Sequence, residues 1–175
     1  MNVFAVNEVR SIVDRDGAER IKLIGRKSVF IRAGVGSWDP LELIVSEKLA
    51  KDGNDFAPGD LFMYVLNEGG ALESISPLVR GGIFPQTEKL DNPTADIDNA
   101  PGTLEDIDFE GHLIKMSLKD ETSEEKRMRI YMPRGVLLWE SDRKKFTPIA
   151  MEDLNIGDKI YATGNVRHVC LTVFR

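Results

Sequence analysis

Two stretches, Phe56-Ala57-Pro58-Gly59-Asp60 and Leu154-Asn155-Ile156-Gly157-Asp158, decide how this chain is read. They lie 98 residues apart, and each opens an apolar strand, Leu61 to Leu66 and Lys159 to Thr163. In both, an apolar residue anchors a turn, glycine supplies the strained dihedral, and aspartate caps the turn or faces solvent. Each is followed by a Gly turn and a last strand. A recurrence of this kind is the mark of an internal repeat, so a tandem duplication is expected.

Working outward, the tracts around both stretches alternate with period 2. In the second half, Ile114, Met116 and Leu118 alternate with Lys115 and Ser117, and Met128, Ile130 and Met132 alternate with Arg127, Arg129 and Tyr131. Such alternation marks half-buried antiparallel strands. Val136 to Trp139, Lys159 to Thr163 and Val169 to Val173 complete a set of five. In the first half, Val9 to Val13 and Arg20 to Ile24 flank Asp14-Arg15-Asp16-Gly17, a hairpin turn. Val29 to Ala33, Leu41 to Ser46, Leu61 to Leu66 and Ala71 to Ile75 follow as strands, and Gly34-Val35-Gly36 reads as a turn opening a Gly34 to Pro40 loop. One short helix is expected near residues 42–51.

Pro85 to Gly102 holds three prolines, Asn92, Asn99 and four acids with no apolar period, which reads as a linker. The domains expected are therefore 1–84, an acidic linker at 85–101, and 102–175. Charge follows the same division, with balances of −2 over residues 1–85, −7 over 86–110 and +3 over 111–175.

The run Leu154 to Gly164, with Gly157-Asp158 and the closing Gly164, resembles the strand opening of small OB-like barrel modules. Gly102 to Asp108 would then be the first strand of such a module. The resemblance covers residues 102–175 and implies fold only. The fold class expected is mainly β, with two small OB-like antiparallel barrels or sandwich lobes packed side by side.

No apolar run approaches the ~20 residues of a membrane-spanning helix. The amino terminus carries no secretory pattern, and the single Cys170 allows no disulfide within the chain, so cytoplasm is the expected compartment. No phosphate loop, dinucleotide fingerprint, nucleophile elbow or zinc-protease motif occurs. Ser141-Asp142-Arg143-Lys144 has the Ser-x-x-Lys spacing but falls in a charged hairpin tip. His168 and Cys170 share a strand face, yet a zinc site needs three or four ligands, so neither metal nor cofactor is expected. The acids from Asp96 to Glu110 lack the calcium-loop pattern.

A non-enzymatic interaction or structural module, part of a larger assembly or self-associating, is the function expected. Strand Leu61 to Leu66 is apolar on both faces and needs a second layer, from the other lobe or a partner. Trp38 and Trp139, read as exposed at a loop and a strand edge, are the candidate interface anchors. The alternative is single-stranded nucleic-acid binding through Arg127, Arg129, Tyr131, Arg143, Lys144 and Lys145, where cations would track phosphates and a ring would stack on bases. An enzyme would require a cleft between lobes holding a perturbed acid.

Overall fold

The Asp14-Arg15-Asp16-Gly17 stretch closes a hairpin because Gly17 takes a φ of +82° and the Asp14 carboxylate accepts the N–H groups of Asp16 and Ala18. Its arms are β1 (Val3–Val13) and β2 (Glu19–Ile31). The computed structural model describes residues 2–31, 35–85, 99–119, 125–133, 135–165 and 168–175. Among them the remaining strands are β3 (Val35–Ile44), β4 (Leu61–Leu66), β5 (Leu72–Val79), β6 (Asn99–Asp108), β7 (Leu113–Lys119), β8 (Glu125–Tyr131), β9 (Val136–Glu140), β10 (Lys145–Ile149), β11 (Lys159–Asn165) and β12 (His168–Phe174). One short α-helix, α1 (Glu47–Lys51), starts where the Ser46 hydroxyl accepts the Leu49 N–H. The chain is mainly β, as its alternation requires.

The strands form two sheets. The first runs β5-β4-β1-β2-β3, and the second runs β10-β9-β12-β11-β6-β7-β8. Among the described residues a single ladder pair, Val35 with Val169, links them. Neither sheet closes into the barrel that the OB-like resemblance implied. In the first, the outer strands β3 and β5 approach only at the Val45–Leu72 bridge, because the chain leaves β3 for α1 just beyond it.

Three apolar clusters hold the molecule together. Phe4, Leu23, Leu43, Phe62 and Leu72 centre the first lobe, and Leu104, Ile114, Met116, Ile130 and Leu171 centre the second. The third lies between the lobes, where Val3, Ala5, Leu61 and Val79 meet Leu137, Phe146, Tyr161 and Phe174. Strand β4 therefore faces two ways: Phe62 and Tyr64 turn into their own lobe, while Leu61 and Met63 pack in the seam. The second layer that its double apolar face demands at Leu61 and Met63 is the other lobe.

Two readings are corrected. Val35 to Pro40 is strand rather than turn and loop, since Val35–Ile44 pairs with β2 along its length. Gly36 serves close approach, not a reversal: a Cβ there would lie 2.2 Å from the Val169 carbonyl oxygen. The tryptophans are not exposed either. Trp38 and Trp139 retain 6% and 4% of their surface, and both are buried in the seam. Of the expected linker, residues 86–98 lie outside the described residues, and Asn99 to Pro101 are strand, paired with Tyr161 to Thr163 of β11.

Candidate functional site

The two Gly-Asp stretches fold alike to the level of individual hydrogen bonds. Gly59 and Gly157 share a φ of +93°, left-handed backbone that glycine adopts without a side-chain penalty. The Asp60 carboxylate accepts the Ala57 N–H at 2.9 Å, and the Asp158 carboxylate accepts the Asn155 N–H at 2.9 Å. Each turn is stitched to the first strand of its lobe. Gly59 N–H donates to the Val6 carbonyl and Val6 N–H to that of Asp60, while Gly157 and Leu104 exchange the same pair of bonds, Leu104 N–H donating to Asp158.

An arginine just beyond the last strand clasps each aspartate. Arg80 Nη1 lies 3.4 Å from Asp60 Oδ2 and also donates to the Asp55 carbonyl. Arg175 donates to both oxygens of Asp158, Nε to Oδ1 at 2.9 Å and Nη2 to Oδ2 at 2.5 Å, and to the Asp153 carbonyl. Burial works to raise the Asp158 pKa, but the Arg175 fork, the Asn155 N–H and the Arg175 charge together hold it below the ordinary carboxylate value. Such a group is committed to structure. It has neither the raised pKa nor the free oxygen of a general acid or base.

The correspondence extends through the sheets. The order β5-β4-β1-β2-β3 in the first lobe matches β12-β11-β6-β7-β8 in the second. The first strand bulges at the same place in each, between Val6 and Glu8 and between Leu104 and Asp106. Val45 N–H donates to Ile21 O where Met132 N–H donates to His112 O.

The candidate basic residues fall on two elements. Arg127, Arg129 and Tyr131 occupy alternate positions of β8, opposite Ser117, Lys115 and Leu113 of β7. Arg129 is exposed, and the side chains of Arg127 and Tyr131 lie outside the described residues. Lys115, beside Arg129, is 3.3 Å from Glu105. Arg143, Lys144 and Lys145 are exposed at the β9–β10 turn, at the other end of the strand order, and Arg143 is 3.3 Å from Glu140. The two groups therefore do not share an element.

Cys170 is wholly buried beneath Ser37, whose carbonyl accepts from its thiol at 3.6 Å. Burial pushes the thiol pKa up to about 12 despite a backbone hydrogen bond from Val29, which removes it as a nucleophile or metal ligand. An open groove of about 370 Å³ beside α1 is lined in part by Ile21, Val45 and Ala50 and by Arg20, whose guanidinium is held by Asp14 and Glu47. Among the described residues no three His, Cys, Asp or Glu side chains gather as metal ligands, and no helix is long and apolar enough to cross a membrane.

Fold and sites together define a two-lobed, predominantly antiparallel β protein whose best-formed polar sites are structural. No family model matches the chain, and no curated protein matches it.

Proposed function

We propose that the chain is a non-enzymatic structural or interaction module, built as a tandem duplication of one five-stranded unit and serving within a larger protein assembly. The observation that carries this reading is the recurrence of the arginine-clasped aspartate turn, with the same strand order and bulge, in two lobes packed on one apolar seam. The seam consumes both tryptophans, so contacts fall to the apolar residues left at turns and tips: Val13 at the β1–β2 tip, Val65 and Leu66 at the β4–β5 tip, Ile83, Phe109 and Ile156. Sedimentation of the purified protein across the micromolar range, with cross-linking mass spectrometry in its native source, tests this. A homo-oligomer or a stable hetero-complex is the expected result. A monomer with no cross-linked partner would overturn it.

A second reading, binding of single-stranded nucleic acid, is favoured by the register of β7 and β8, which sets Lys115 opposite Arg129 and Ser117 opposite Arg127. It requires an affinity that falls steeply with salt and is abolished by Arg127→Glu with Arg129→Glu. Fluorescence anisotropy with a labelled single-stranded pool at two salt concentrations decides, and unchanged affinity in the double variant sinks this reading.

A further inference from the structure

We infer that the β9–β10 hairpin is an insertion into the second of two like units, and that it clasps the first unit on the side of the seam away from the Val35–Val169 contact. It rests on the proposed duplication of one unit, and holds whatever the assembled protein binds. Val45 and Met132 occupy equivalent places, Val45 donating its N–H to Ile21 and Met132 its own to His112. Asp60 follows Val45 by fifteen positions, whereas Asp158 follows Met132 by twenty-six. The first unit spans its interval with α1; the second spans its own with β9, β10 and a short 3-10 helix, Met151–Asp153.

The inserted hairpin reaches across to the first unit. Asn7 sits at the bulge of β1, where a residue is released from the ladder and its side chain can be re-aimed. Its amide completes both hydrogen-bonding groups of Phe146 on β10: Asn7 Nδ2 donates to the Phe146 carbonyl at 3.1 Å, and Phe146 N–H donates to Asn7 Oδ1 at 2.6 Å. The equivalent bulge position in the second unit is Glu105, near Lys115 instead. Trp139 on β9 lies against the bare backbone of Gly82 and Gly59. A Cβ on Gly82 would come within 2.1 Å of the indole Nε1, so the first unit offers glycine where the hairpin's largest ring must seat. Trp139 also packs on Phe146, ring centroids 4.8 Å apart, and both join Val3, Ala5, Leu61 and Val79 in the seam.

Each unit keeps a core of its own apart from this seam, so breaking the clasp should loosen the seam without melting either unit. The full chain supplies its own reporters, since its two tryptophans both lie in the seam. In the double variant Asn7→Ala with Gly82→Val, tryptophan emission should shift to the red and the radius of gyration by X-ray scattering should rise. Hydrogen exchange should lose protection at Phe146 of β10 but keep it in β2 and β7. Simultaneous loss in β2 and β7, or no change in emission and size, would overturn the inference. Asn7→Ala alone provides a milder check that does not threaten folding. The Phe146 amide should exchange about tenfold faster, the equivalent of one lost hydrogen bond, and an unchanged rate would remove the clasp's polar half.

Discussion

Replacing Asp158 by alanine removes the carboxylate that organises the second lobe's turn. The side chain is 8% exposed and accepts the Arg175 fork and the Asn155 N–H. Losing one partner of a buried, hydrogen-bonded ion pair costs about 3–5 kcal/mol. Arg175 retains 34% of its side-chain surface and can rehydrate, which favours the lower end, about 3 kcal/mol. Against a total stability of roughly 5–15 kcal/mol that loss is readily measured by urea unfolding, with the slope unchanged. A double-mutant cycle with Arg175→Ala should return a coupling of about 2 kcal/mol. The pH dependence follows from the lowered pKa of Asp158. Its stabilisation is present in full above the ordinary carboxylate value of 3.8 and is lost as pH falls through the lower folded-state value. The stability gap between wild type and Asp158→Asn should thus be flat near neutrality and close only in strong acid. A loss below about 1 kcal/mol at pH 7, or a gap that closes well above 3.8, would refute the assignment of this turn as a clasped ion pair.

The two turn glycines share a φ but not a neighbourhood. Gly157→Ala meets nothing within 4 Å and should cost only the left-handed penalty, about 1–2 kcal/mol, whereas a Cβ on Gly59 would fall 2.4 Å from the Gly82 nitrogen and 2.8 Å from the Trp139 ring. Gly59→Ala should therefore be clearly the more destabilising in thermal melts, and equal losses would contradict the seam's packing. Cys170, its thiol raised to about 12 by burial, should resist a thiol reagent at pH 8 in the folded protein, where roughly one thiol in ten thousand is ionised, and react promptly in urea. Prompt labelling of the native state would show that the seam opens.

What the sequence disclosed was periodic or punctuated. Ile114 and Met116 are buried in the second core while Lys115, between them, lies only half-buried, as period 2 demands. Leu61–Leu66 spans the strand its apolar run suggested, and the two Gly-Asp turns were visible as a spacing. The alternation of Arg127, Arg129 and Tyr131 likewise placed them at alternate positions of one strand. Long-range contacts were not legible. Trp38 followed two glycines and preceded a proline, local marks of a loop, yet its indole N–H donates to the Leu171 carbonyl 133 positions away. Strand β10 was missed because Lys144-Lys145 and Pro148 look like a tip, although Lys145 to Ile149 pair fully with β9. Whether Arg143 to Lys145 join the β8 residues depends on strand order, which no local pattern encodes.

The lobes also differ at an edge where the clasp would need support. In the second lobe Val173 stands opposite Ile160 of β11 and is backed on its other side by Leu138 of β9. In the first, the register that sets Phe62, 98 positions before Ile160, against its neighbour puts Pro77 in that place. Proline has no N–H to give a further strand, and within sheets it belongs on edges. A hairpin equivalent to β9–β10 therefore has a poorer seat on β5. At the opposite end, among the described residues, β8 is paired on one side only, with β7, and its Arg129 is exposed, a charge that discourages strand addition.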